Sequence, residues 1–154
     1  MHRTRTAVVA LAAAAALTLP VGAAGPATAQ PCRSLDGHLD AVGIPQFANG
    51  ALAGFHVIVT SATGDLAGAT VTADLSVTEA LPGGTLHLDG GHHFADPAGG
   101  LAFTTADNVR ISPNGVVNDT LTVVEGGTGM LHTHGSVDLA TGAVELDYHG
   151  QLCG

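Results

Sequence analysis

Short segments in which apolar and polar residues alternate, each ended by glycine or proline, follow one another along most of this chain. Between residues 69 and 78, for example, alanine, valine and leucine occupy every second position, with threonine, serine and aspartate between them. A period of two places the apolar side chains on one face of a β-strand. Helical periodicity is absent from these segments. The pattern therefore predicts an all-β protein.

The alternating segments predict eight strands, and their number favours a closed barrel. The first six are expected at residues 34–42, 52–60, 67–78, 85–94, 101–111 and 116–125, and the last two within residues 126–153. Eight antiparallel strands can close into a barrel whose interior holds side chains or one small ligand. An open β-sandwich of two sheets is the alternative.

The last two strands form a predicted hairpin whose apolar face closes the barrel. Pairing Leu139 with Val144 places the apolar residues of both strands on one face, and Gly142 supplies the positive φ of a tight turn. In this register Gly135 lies opposite Tyr148, so the tyrosine ring covers a cross-strand glycine. The opposite face of the hairpin carries histidines and acidic residues.

The N-terminal residues have the features of a secretory signal peptide. Arg3 and Arg5 precede an apolar run at residues 7–19, and an Ala-x-Ala cleavage site follows at residues 27–29. Cleavage there removes residues 1–29 and leaves a single barrel domain at residues 30–154. We therefore expect a secreted, extracellular protein.

The charge of the mature chain excludes some classes of partner. Removal of residues 1–29 leaves two basic residues, Arg33 and Arg110, against 13 acidic ones, a formal charge of −11, and the chain has no lysine. Nucleic acids and anionic membranes attract basic surfaces. We therefore expect neither nucleic acid nor a membrane as a partner, and expect a small apolar ligand instead.

The two cysteines, Cys32 and Cys153, lie at opposite ends of the mature domain. In an oxidising compartment, an even pair of cysteines predicts a disulfide bond. Such a bond would join the first strand to the last.

Two aspartates interrupt otherwise apolar strand faces. Asp107 shares the inward face of the fifth strand, and Asp119 that of the sixth; pairing Ile111 with Val117 places the two carboxyl groups one residue pair apart. His92 and Tyr148 are expected to face the same interior. Paired buried acids can serve as catalytic acid and base. Alternatively, the aspartates bond to backbone N–H groups or pair with Arg110.

The histidines of the final hairpin suggest a metal site on its outer face. His132 and His134 lie on one strand face, and the predicted register puts His149 opposite His134. Three imidazoles with a nearby carboxylate could bind Zn²⁺ or Cu²⁺. The alternative is a solvated polar face with no metal, so no cofactor is required.

The C-terminal half contains four motifs: FTT-x-D from Phe103, ND-x-L-x-VV-x-GGTG from Asn118, G-x-VDL-x-TG from Gly135 and Y-x-G from Tyr148. Together they resemble secreted bacterial proteins that are similar to the allene oxide cyclase and dirigent barrel superfamily. The resemblance implies an eight-stranded antiparallel barrel around an apolar cavity. The catalytic residues of the plant cyclases and dirigent proteins have no matching positions here, so their chemistry is not carried over.

These observations lead to three hypotheses of function. The first is a non-enzymatic module that holds a small apolar or amphipathic ligand inside the barrel. The second is a cyclase or isomerase in which Asp107 and Asp119 act as polar groups and His92 or Tyr148 carries protons. The third is metal binding on the outer histidine face. The residues expected to line the ligand site are Phe94, Phe103, Asp107, Asp119 and Tyr148.

Overall fold

The computed structural model describes residues 31–98 and 100–154, which form a closed antiparallel barrel of eight strands. Each strand pairs with the next along the chain, and the last pairs with the first. The strands are β1 (Cys32–Ala48), β2 (Ala51–Ala62), β3 (Thr70–Ala80), β4 (Leu86–Ala95), β5 (Ala102–Ile111), β6 (Val116–Glu125), β7 (Thr128–Val137) and β8 (Ala143–Cys153). The predicted barrel is confirmed, and the sandwich alternative is wrong. The predicted signal peptide, residues 1–29, lies outside the described residues.

A disulfide bond between Cys32 and Cys153 locks the seam at which the barrel closes, as predicted. The two cysteines are direct partners in the ladder between β1 and β8, which continues without a shift to Val42 and Ala143. The bond encloses a sequence separation of 121 residues. Constraining so long a loop in the unfolded chain stabilises the folded state by about 2 to 4 kcal/mol.

One end of the barrel is filled by the connection between β2 and β3. A single 3-10 turn, Gly64–Leu66, folds back over this end and buries Leu66 in the core. The hydroxyl of Tyr148 donates a hydrogen bond to the Thr63 carbonyl oxygen at 2.7 Å and accepts one from the Leu66 N–H at 2.8 Å. We call this end, which also carries the disulfide, the closed end.

The register of the last hairpin differs from the prediction by two residues. Val137, not Leu139, pairs with Val144, and Leu139 lies in the turn with 55% of its surface exposed. The cause is Asp138, whose carboxylate accepts the N–H groups of Ala140 and Thr141 and so reverses the chain earlier.

This shift changes the neighbours of Tyr148. Its partner on β7 is Thr133 instead of the predicted Gly135. A glycine does lie beneath the ring, but it is Gly37 on β1: a Cβ atom there would be 2.5 Å from the tyrosine hydroxyl oxygen. The aromatic ring therefore covers a cross-strand glycine on the opposite side from the one predicted.

The first strand is longer than predicted and extends past the rim of the barrel. Beyond Val42 it has no partner in β8 and pairs only with β2. Pro45 is tolerated in this part of the strand because its missing N–H is not needed for a second ladder. The tight turn at Asn49 and Gly50, both with positive φ, returns the chain. Residues 43–53 thus form a projecting hairpin, which we call the flap.

The flap and the β3–β4, β5–β6 and β7–β8 turns surround the second end of the barrel, which we call the open end. This end holds no counterpart of the Leu66 plug among the described residues. No helix in the described part of the chain has the length and apolar character needed to cross a membrane.

Candidate functional site

Among the described residues, five polar ones are buried inside the barrel, and all of them lie on four consecutive strands. β4 contributes one, β5 two, β6 one and β7 one; they are His92, Thr105, Asp107, Asp119 and Thr133. Each occupies an inward position of the alternating pattern, and most of the other residues on the same strand faces are apolar or glycine. The inward positions expected for His92, Asp107 and Asp119 are therefore confirmed.

The register that brings the two aspartates together also follows the prediction. Ile111 pairs with Val117, so Val109 faces Asp119 and Asp107 faces Leu121. The turn between β5 and β6 fixes this register, because the Ser112 hydroxyl accepts the Val116 N–H at 2.9 Å.

His92 lies at an interruption of the ladder between β4 and β5. The pairs on either side are Gly90 with Asp107 and His93 with Thr104, and between them the His92 N–H donates to the Thr105 hydroxyl at 3.1 Å. Gly91 permits this close approach, since a Cβ atom at that position would lie 2.4 Å from the Thr105 carbonyl oxygen. The glycine and the threonine together set the position of the imidazole.

Three side chains form a continuous hydrogen-bonded series. The Thr105 hydroxyl donates to Asp107 Oδ1 at 2.5 Å, and His92 Nδ1 donates to Asp107 Oδ2 at 2.6 Å. The Asp107 side chain is fully buried and that of His92 is 8% exposed. Because the carboxylate accepts at Nδ1, it fixes the imidazole orientation and leaves Nε2 available for a further partner. Nε2 makes no hydrogen bond to any described residue.

Asp119, in contrast, lacks a partner for one of its carboxyl oxygens. Only 6% of the residue is exposed, yet Oδ1 makes no hydrogen bond within the described residues. The same is true of Oγ1 of Thr133, the direct partner of Asp119 across β6 and β7. A buried polar group without a partner is costly and usually marks a site for water, an ion or a ligand.

The environment of Asp119 also shifts its protonation. Desolvation, and after it the negative charge of Asp107, raise the pKa of the carboxyl from 3.8 to about 7, although His92 opposes them. At neutral pH the carboxyl is thus divided between its acid and its anion, and it can donate or accept a hydrogen bond.

In the described part of the chain, Asp119 and His92 are the only polar residues that line a cavity of about 50 Å³ inside the barrel. Its other lining residues are apolar or glycine: Gly43, Phe55, Val57, Leu75, Val109, Ile111, Val117, Val137, Val144 and Leu146. The volume admits a water molecule or a small chemical group, and it is below the several hundred Å³ of most ligand sites.

A larger groove of about 400 Å³ lies at the open end, between the flap and the β7–β8 turn. It shares Gly43, Phe55 and Val137 with the interior cavity, so the two spaces adjoin. The flap contributes apolar side chains, among them the exposed Phe47. We call the groove and the adjoining cavity together the apolar path, since most of their lining residues are apolar or glycine; Asp119 and His92 line its inner part.

Three of the residues predicted to contact a ligand lie elsewhere. Phe94 and Phe103 stack on each other in the core, with ring centroids 4.2 Å apart, and neither lines the cavity. The Tyr148 hydroxyl is bonded to the plug at the closed end, and burial raises its pKa. Asp119 alone of the five predicted lining residues borders the cavity, while Asp107 acts on it through His92.

The outer histidines do not form the predicted metal site. Because of the two-residue register shift, His149 lies opposite His132 instead of His134, with ring centroids 5.6 Å apart. His134 bonds instead to the Asn118 side chain at 2.8 Å. Asp147, the acidic residue two positions before His149, bonds to His38 on β1 at 2.8 Å.

Within the described residues, the donor atoms that come close enough to hold one metal ion belong to the interior group. One atom each of His92, Asp107 and Asp119 lie within 4.8 Å of one another. Both oxygens of Asp107, however, already bond to Thr105 and His92.

Sequence reasoning identified these three residues but not Thr133, because threonine is common in strands and its lack of a partner appears only in the structure.

No protein-family model, curated protein or solved structure matches the chain. The function must therefore be argued from the barrel, its apolar path and the polar groups at the end of that path.

Proposed function

We propose that the protein binds a small amphipathic ligand through the open end of the barrel. The apolar part of the ligand would occupy the groove and the cavity, and its polar group would meet Asp119. One observation carries this proposal: the cavity is apolar except for His92 and Asp119, and Asp119 Oδ1 is buried without a partner in the described structure.

The chemistry of the site supports an amphipathic ligand over a wholly apolar one. Apolar walls favour hydrocarbon, while a few polar groups at one point fix the orientation of a ligand. A ligand that supplied a hydrogen bond to Asp119 would remove the cost of its unpaired oxygen. Because the cavity is only about 50 Å³, a ligand must be narrow, with its remaining apolar part in the groove.

Fluorescence titration with diphenylhexatriene, an uncharged rod-shaped dye, tests the apolar path. Val117 lines the cavity from β6, and Val124, on the same strand, is exposed on the outside. V117F should fill the cavity and weaken dye binding at least tenfold, and V124F should leave it unchanged. I111F, a second cavity-filling variant, guards against a folding defect particular to V117F.

The outcome separates the site from a nonspecific surface. The proposal would be refuted if the wild type did not bind the dye, or if folded V117F and I111F bound it as tightly as the wild type. Mass spectrometry of protein purified under native conditions gives an independent measurement, since a resident ligand would appear as a small molecule released on unfolding.

A second candidate function, proton-transfer isomerisation, is favoured by the hydrogen-bonded series of Thr105, Asp107 and His92. In a β,γ-unsaturated ketone, His92 Nε2 would remove the α proton and return it to the γ carbon. Protonated Asp119 would donate a hydrogen bond to the enolate oxygen meanwhile.

This reaction can be monitored by the rise in ultraviolet absorbance as the conjugated product forms. H92Q should abolish the rate, and H134Q, a variant of an exposed outer histidine, should not change it. No rate above that of buffer in the wild type would refute this candidate.

We further propose that the protein acts outside the cell. The disulfide bond supports this location, because such bonds persist in oxidising compartments. Expression of the full chain in a secreting bacterial host should release a product that begins at Gln30, and intact mass measurement identifies that end. The likeness to the allene oxide cyclase and dirigent superfamily stays a prediction.

A further inference from the structure

We infer that the polar group of the ligand is a protonated primary amine on a narrow apolar tail. This inference rests on the proposed function and names the class of ligand. The inner end of the cavity has hydrogen-bonding groups that are not yet used. Asp119 Oδ1 is unpartnered within the described residues, and His92 Nε2 makes no hydrogen bond there.

The charges around this point favour a cation. Asp107 is the acidic partner of His92, and Asp119 is a second acid on the neighbouring strand. The two arginines of the described chain, Arg33 and Arg110, are both exposed and do not enter the interior. A ligand carboxylate would meet two acidic groups, whereas an ammonium group would stabilise the anion of Asp119.

The number of donors also distinguishes the possible polar groups. An ammonium group has three N–H donors, and a hydroxyl has one O–H donor. Asp119 and His92 line the cavity and offer Oδ1 and Nε2 as acceptors. Thr133, the partner of Asp119 across β6 and β7, carries a third buried oxygen without a partner in the described structure. An ammonium group therefore matches this end of the cavity better than an alcohol does.

A divalent metal ion fits the same point less well than an ammonium group. Zn²⁺ in proteins takes three or four protein ligands, and Ca²⁺ takes six to eight oxygens. Since Asp107 has both oxygens bonded to its neighbours, Asp119 and His92 remain as ready ligands, and the other cavity residues are apolar or glycine. Those apolar walls suit the hydrocarbon tail of an amine.

The shape of the path limits the tail. The cavity admits the ammonium group and the first carbons, and the adjoining groove of about 400 Å³ takes the rest. An unbranched alkyl chain meets this requirement, and a branch next to the amine does not.

Calorimetric titration of the oxidised protein with hexylamine, hexanol and hexanoate at pH 7.5 tests the inference, because the three compounds share one tail. Hexylamine should bind at least tenfold more tightly than hexanol, and hexanoate should bind most weakly. D119N should lower the hexylamine affinity at least tenfold and leave diphenylhexatriene binding intact. D74N, a change of an exposed aspartate on β3, serves as the matched control with unaltered affinity.

Failure of this inference can be told from failure of the proposed function. If hexanol or hexanoate bound as tightly as hexylamine or more tightly, the inference of an amine ligand would be overturned, but the proposed amphipathic site would stand. Unchanged hexylamine binding by folded D119N, or displacement of hexylamine by micromolar Zn²⁺, would also overturn it. Absence of dye binding by the wild type, in contrast, would refute the proposed function itself.

Discussion

Asp119 and Thr133 face each other across β6 and β7, and each has a buried oxygen without a partner in the described structure. Two such atoms on one residue pair are costly to the fold, because burial removes their hydrogen bonds to water. Their neighbours include the well-bonded series of Thr105, Asp107 and His92. The interior thus combines a polar group whose hydrogen bonds are satisfied with one whose hydrogen bonds are not. A ligand that bonded to the second group would stabilise the folded protein most.

The first prediction concerns the pH dependence of stability through Asp119. The pKa of its carboxyl is ordinarily 3.8 and is about 7 in the folded protein. Below pH 3.8 both states hold the proton, and Asp119 has no effect. Between pH 4 and 7 the unfolded chain releases the proton first, so stability falls as pH rises, by roughly 4 kcal/mol at most.

Urea unfolding of the wild type and of D119N between pH 4 and 8 measures this effect. D119N keeps the shape of the side chain and removes its titration, so its stability relative to the wild type should increase from pH 4 to pH 8. Asp107 and His92 face the same group, and both remain in the variant. Parallel pH profiles of stability for the two proteins would show that the pKa of Asp119 is not raised by folding.

The second prediction compares two buried threonines. T133V removes an unpartnered hydroxyl and should leave the stability unchanged or raise it by about 1 kcal/mol. T105V removes the donor to Asp107 and the acceptor of the His92 N–H, and should cost about 1 to 3 kcal/mol. Thermal unfolding at pH 7 gives both values. Equal losses in the two variants would mean that the Thr133 hydroxyl has a partner after all.

The third prediction assigns Tyr148 to the closed end. Y148F leaves the Thr63 carbonyl and the Leu66 N–H without their partner and should lower stability by about 1 to 3 kcal/mol. Hydrogen exchange at the Leu66 amide should become faster, because that amide loses its acceptor. Binding of hexylamine should be unchanged. Weaker binding without a loss of stability would restore the ligand role that the sequence predicted for Tyr148.

The sequence predicted which face of β3 and of β5 to β8 is buried, but it did not always predict the cross-strand partner. The β5–β6 register could be predicted because Ser112, Pro113, Asn114 and Gly115 leave little freedom in the position of the turn. In the β7–β8 turn, Asp138 bonds the next N–H groups and takes Leu139 out of the strand. A shift of two residues keeps each side chain on its face, so alternation cannot reveal it.

Other parts of the site depend on contacts that have no periodic signal. Leu66 fills the closed end from a loop, and only its contacts with the core show this role. Phe94 and Phe103 were expected near a ligand because they face inward, yet they pack against each other. Inward direction is set by the strand pattern, whereas the place of the cavity depends on how all eight strands fill the interior.

The fourth prediction separates the disulfide from the ladder that it reinforces. The double variant C32S/C153S should lose about 2 to 4 kcal/mol, because the unfolded chain regains the freedom of a loop with a sequence separation of 121 residues. The backbone pairing of β1 with β8 from Cys32 to Val42 does not need the bond. At 25 °C the variant should therefore keep its circular dichroism spectrum and its hexylamine binding, while unfolding at lower urea concentration.

The distance between the disulfide and the site makes this variant informative. Cys32 and Cys153 lie at the closed end, whereas the ligand path opens at the other end, beside the flap. Reduction of the wild type with dithiothreitol should reproduce the loss of stability, which excludes an effect of the serines themselves. If C32S/C153S is instead unfolded at 25 °C, the ladder between β1 and β8 cannot hold the barrel closed alone, and the covalent bond is a condition of folding.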